Sequence, residues 1–119
     1  MQVIGETVVT TGVDEEAQAY FTPWFPRVAD NAVFSYERIH SSLSTNETVT
    51  VFHKDAEESG DEGSSVTTFS SQIGTTGIFQ ATCSGLKEMV RFRVTTTSTA
   101  SPEMLHYRFL PPTWYDDAV

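Results

Sequence analysis

From Glu88 to Thr96 the chain reads EMVRFRVTT, and Val90, Phe92 and Val94 fall on every second position. That period belongs to a β-strand, whose successive side chains point to opposite faces. Val90, Phe92 and Val94 share the face turned to a core. Met89, Arg91, Arg93 and Thr95 share the other. No long run of Ala, Leu, Glu and Lys offers a competing helix.

The same reading extends along the chain. An opening strand is expected over residues 2–12. Better ones follow at Ala32–Ile39, Glu47–Lys54, Ser65–Ser71, Gly77–Cys83, Glu88–Thr96 and Met104–Leu110. Between them stand turn residues: Ser44-Thr45-Asn46, Ser59-Gly60-Asp61, Gly74-Thr75-Thr76, Ser84-Gly85 and Ala100-Ser101-Pro102. A parallel sheet needs crossover helices, and the chain lacks their pattern. Asp14 can cap no more than one helical turn before Tyr20. Pro23 and Pro26 lack backbone donors, so their segment belongs at an edge or in an irregular crossing. The expected fold is all-β: a single antiparallel β-sandwich over residues 1–119, jelly-roll-like, with extended terminal segments rich in aromatics and proline.

A length of 119 residues suits one core. Eight Phe, four Tyr and two Trp are expected to fill much of it, since the apolar fraction is only 39%. The net charge of -9 argues against binding nucleic acid or an anionic membrane, both of which repel it. Cys83 is the lone cysteine, so no intrachain disulfide forms. No cationic start leading into an apolar run follows Met1, so no secretion signal is expected.

Against that acidity, the cations cluster. A short connection through Ser101-Pro102 suggests a hairpin between Glu88–Thr96 and Met104–Leu110. In the second strand Leu105, Tyr107 and Phe109 face inward and His106 and Arg108 outward. Such a hairpin gathers Arg91, Arg93, His106 and Arg108 on one outer face with Lys87 at its end. It would hold four of the seven Lys and Arg residues. A solvated sheet face explains this, because arginine stems cover apolar surface. A contact surface explains it too. A cationic face and an acidic loop on one chain are complementary between copies.

The acidic loop is the segment 55–63, with Asp55, Glu57, Glu58, Asp61 and Glu62. Mutual repulsion is expected to keep it solvated and mobile. Calcium is one ligand for so many oxygens, but the ligand spacing of a helix-loop-helix calcium site is missing. The aromatic segments YFTPWFP and LPPTWYDD plug the ends of a sandwich, or serve as docking arms with Trp24, Trp114 and Tyr115 as anchors. Pro111 and Pro112 suggest an extended C-terminal arm over 111–119. Exposed Trp24 or Trp114 would also suit stacking on sugar rings.

Chemistry finds little footing. His40, His53 and His106 fall on three separate strands without zinc spacing, so no metal site is expected. No phosphate loop or nucleophile elbow is present. A carboxylate pair for glycoside hydrolysis ranks third among the readings. No catalytic residue, metal or cofactor is expected, and the chain reads as a non-enzyme.

LKEMVRFRV with YRFLPPTWY resembles the small β-sandwich accessory proteins of tailed-phage virions, the capsid decoration or cement proteins. The likeness covers roughly the C-terminal third. It implies a structural virion protein, assembled in the host cytoplasm, that binds between coat subunits and associates with itself. The alternative is a carbohydrate-binding β-sandwich module using Trp24 or Trp114.

Overall fold

A computed structural model describes residues 7–12, 17–43, 47–58, 62–69, 76–97 and 103–116. They form strands β1 (Thr7–Gly12), β2 (Ala17–Phe21), β3 (Phe25–Pro26), β4 (Asn31–Ser41), β5 (Thr48–Lys54), β6 (Ser64–Thr68), β7 (Gly77–Cys83), β8 (Met89–Thr97) and β9 (Glu103–Tyr115). The described residues contain no helix. The one-turn helix expected after Asp14 begins outside them, and the described remainder of that segment, Ala17–Phe21, is strand β2 instead.

The strands make two antiparallel sheets. The four-stranded one runs β1-β9-β4-β7 and the five-stranded one runs β2-β8-β5-β6, with β3 also on β8. The pairs nest: β1 with β9, β2 and β3 with β8, β4 with β7, β5 with β6. Strand β2 ends at Phe21, two residues before Pro23, which cannot donate to a ladder. Thr22 bridges the break. Its N–H donates to the Phe92 carbonyl at 3.0 Å, and its hydroxyl accepts from the Phe92 N–H at 2.9 Å.

Alternation sets the core as expected. Val90, Phe92 and Val94 are buried, as are Leu105, Tyr107 and Phe109. The two sheets meet through aromatics. Phe92 of one stacks on Phe109 of the other at 4.3 Å between centroids, and Phe34 packs edge-on against Phe92 at 5.1 Å. Such pairs add about 0.5–1.5 kcal/mol each beyond the area they bury.

Two expectations fail. The hairpin of β8 with β9 does not form. Strand β8 has β2 and β3 on one edge and β5 on the other, which leaves no edge for β9. Strand β9 instead lies between β1 and β4 in the opposite sheet. Nor does an arm leave the sheet at Pro111. Strand β9 runs to Tyr115, with Thr113 opposite Val33 and Trp114 opposite Ala32. The two prolines sit at a register shift, where β9 steps from Thr113 to Leu110 while β4 steps from Val33 to Ser35.

Candidate interaction surface

The outer face of the five-stranded sheet is built around β8. Register places Arg93 between Phe21 on β2 and Thr50 on β5, and puts Arg91 beside Phe52. The break at Pro23 brings Trp24 onto the same face. The Arg91 guanidinium carbon lies 4.1 Å from the Phe21 ring centre and 4.5 Å from that of Trp24. Lys54 Nζ lies 4.9 Å from the Trp24 ring, and the Arg93 guanidinium carbon 4.8 Å from Phe52. Phe21 meets Phe52 edge-on at 6.4 Å.

Phe52 points outward but is only 6% exposed. The arginine stems and Phe21 cover it, as long amphipathic side chains do. Each cation–aromatic contact is worth about 0.5–1 kcal/mol at an exposed site and more when water is excluded. Phe21 itself stays 42% exposed. The face therefore presents aromatic edges and guanidinium groups together. A guanidinium stacked on a ring keeps its in-plane N–H donors for a carboxylate.

Trp24 is anchored from beside. A Cβ on Gly63 would sit 2.8 Å from Trp24 Cη2 and 2.6 Å from the His53 carbonyl oxygen, and Gly63 has φ of +74°. Both facts demand glycine there.

The acidic loop adjoins this face at its Lys54 end. Glu58 pairs with Lys87 Nζ at 3.0 Å, which lowers the Glu58 carboxyl and raises the lysine. The Lys87 N–H donates to His53 Nδ1 at 3.1 Å, so that nitrogen carries no proton. Burial, with the Lys87 charge behind it, holds His53 below its ordinary value; Asp55 and Glu58 oppose that shift. Glu57 and Glu62 are exposed. Asp61 lies outside the described residues.

The expected cationic set is divided between sheets. Arg91 and Arg93 lie on the outer face of one, with Lys87 beyond its end. His106 and Arg108 lie on the outer face of the other, where Arg108 Nε bonds Glu37 at 2.7 Å and His106 stands opposite His40. Trp114 packs edge-on against Phe34 at 5.4 Å and joins the core, while Tyr115 is 41% exposed. Sequence reasoning missed Phe52 and Lys54. Their signal was present: in TVTVFHK, Phe52 falls in step with Thr48 and Thr50 on the outward side.

A second cluster went unforeseen. Arg38 and Glu47 form an ion pair in the interior, and Tyr36 donates its hydroxyl to Glu47 Oε2 at 2.7 Å. Arg38 also lies over the Phe79 ring at 4.7 Å. Burial, then the Glu47 charge, pushes the Tyr36 phenol far up, so it stays a donor. This cluster joins the sheets, since Arg38 is on β4 and Glu47 leads into β5.

Among the described residues no group of three His, Cys, Asp or Glu is placed to hold a metal. Cys83 is buried and its thiol is pushed up to about 11, which leaves little thiolate for nucleophilic chemistry. Compared with known protein families, curated proteins and solved structures, the chain matches none.

Proposed function

We propose that the protein is a non-catalytic contact protein and that the outer face of its five-stranded sheet is the contact surface. One observation carries this reading. An acidic chain places Phe21, Trp24, Lys54, Arg91 and Arg93 together on one sheet face. Aromatic and arginine side chains are enriched at interface hot spots.

We read the fold more finely as a jelly-roll sandwich. The nested pairs support it, with β2 and β3 counted as one strand broken at Pro23. A single long hairpin rolled up on itself gives that order. Jelly rolls build viral capsids and lectins alike, so the surface chemistry distinguishes the two roles. The role proposed is that of a virion accessory protein, docking on coat subunits or on its own copies. Stacking of Trp24 with two cations and of Trp114 with the core favours this over sugar binding.

Sedimentation velocity over a wide concentration range tests the surface. Self-association should appear, weaken in Phe21→Ser, and persist in Met104→Ser, which alters an exposed residue of the other sheet. A monomer at every concentration, or equal effects of the two variants, would refute the proposal.

A further inference from the structure

Arg93 is a cation without an ionic partner among the described residues. Arg27 pairs with Asp30, Arg38 with Glu47, Lys87 with Glu58 and Arg108 with Glu37. No described carboxylate reaches Arg93, although the chain has sixteen Asp and Glu. Its Nε is buried without a hydrogen-bond acceptor among those residues, pressed over Phe52. Half-buried guanidinium groups are desolvated at a cost, and a carboxylate partner offsets it.

Two of the carboxylates left over belong to the loop at the far end of the same face. Glu57 and Glu62 are exposed and form no ion pair among the described residues. Arg93 stands opposite Thr50, four residues along β5 from Lys54, where the acidic loop begins. At about 3.3 Å per residue that is about 13 Å along the strand, beyond a glutamate's reach. Within one chain the two form no ion pair. Between two chains they can. Stack two such faces with their strands antiparallel about a two-fold axis that passes between Arg93 and the loop. Each Arg93 then meets the partner's loop with Phe21 beside it, and the Trp24 ring comes to the middle.

Resting on the contact-surface reading above, we infer that the occupant of this face is a second copy of the chain. Arg93 engages the Glu57 and Glu62 carboxylates of its partner in a closed two-fold dimer. An isologous interface uses each contact twice, which doubles the effect of any single change. The unlike ends fix orientation, and the aromatic middle supplies most of the binding energy.

The test is charge reversal followed by mixing. Arg93→Glu should be monomeric where the native chain is dimeric, and so should the double variant Glu57→Lys/Glu62→Lys. An equimolar mixture should restore the dimer, because a heterodimer joins the introduced carboxylate to the lysine loop and keeps one native contact. The loop variant alters only exposed positions, so its result stands even if Arg93→Glu folds poorly; Arg93→Gln serves as the milder face variant. Failure of the mixture to dimerise, or a loop variant that dimerises like the native chain, overturns the inference. In those cases the contact face itself survives if Phe21→Ser still abolishes a native dimer. A native chain that is monomeric throughout sinks both.

Discussion

Arg38 and Glu47 face each other in the interior as an ion pair, Nη2 to Oε2 at 2.9 Å, with both side chains 0% exposed. Arg38 Nε adds contacts of 3.1 and 3.0 Å to the two carboxylate oxygens. The pair clamps β4 of one sheet to the start of β5 in the other. Removing one partner leaves a buried charge alone, which costs about 3–5 kcal/mol. Arg38→Ala and Glu47→Ala should each lower stability by that amount in urea unfolding. The apolar double replacement Arg38→Met/Glu47→Leu should cost far less, since both desolvation penalties vanish together. Losses that simply add would contradict the pairing.

Tyr36→Phe deletes the hydroxyl that donates to this carboxylate. A hydrogen bond to a charged group contributes about 1.5–3 kcal/mol, so the variant should lose that much in the same assay. An unchanged midpoint would place the phenol outside the network.

His53 gives the fold a pH dependence whose sign follows from its surroundings. Its folded value is depressed, by burial first and by Lys87 second. As pH falls, the unfolded chain therefore binds the proton before the folded chain does. The stability contribution is intact above about 6.5 and is lost as pH falls below that value. Protonation also removes the Nδ1 acceptor used by the Lys87 N–H. In His53→Asn the amide oxygen keeps an acceptor there and does not titrate. Stability measured between about pH 7 and pH 5.5 should decline in the native chain and stay flatter in this variant. Parallel curves would refute the assignment.

Gly63→Ala should be strongly unfavourable. The new methyl meets the His53 carbonyl and Trp24, in a backbone region that suits glycine. The expected loss is at least about 1 kcal/mol, with a shift in Trp fluorescence because Trp24 must move. Gly85→Ala is the control: it shares a positive φ of 63° but has open space around it, so it should leave the fluorescence alone.

Cys83 should resist thiol reagents in the folded state and react fully in denaturant. Its side chain is buried, and burial raises its thiol to about 11. Rapid labelling of the native protein would show that β7 opens readily.

The alternation of Val90, Phe92 and Val94 was legible because period two is a local property of one strand. The two facts that matter most for the surface were not local. Strand β9 follows β8 in sequence, yet β8 already has partners on both edges, so the short connection crosses to the other sheet. No spacing in the chain announces that. Phe34, Tyr36 and Arg38 alternate visibly in AVFSYERI, which places a charge on the buried face of β4. Its partner Glu47 lies nine residues further on, and only folding reveals that the two meet. Phe52 is the converse case, a large apolar residue on an outward position. Its presence there signals that the face is covered, first by Arg93 and Phe21 of the same chain.

Whether the face carrying Phe21, Trp24, Arg91 and Arg93 is the one that meets a partner can be read from side-chain NMR signals followed as the protein is concentrated. The Trp24 indole N–H and the Arg91 and Arg93 Nε–H resonances should shift with concentration, while the methyl signals of Ile78 and Met104 on the other sheet stay fixed. Shifts confined to Ile78 and Met104, or none anywhere, would refute the assignment of this face.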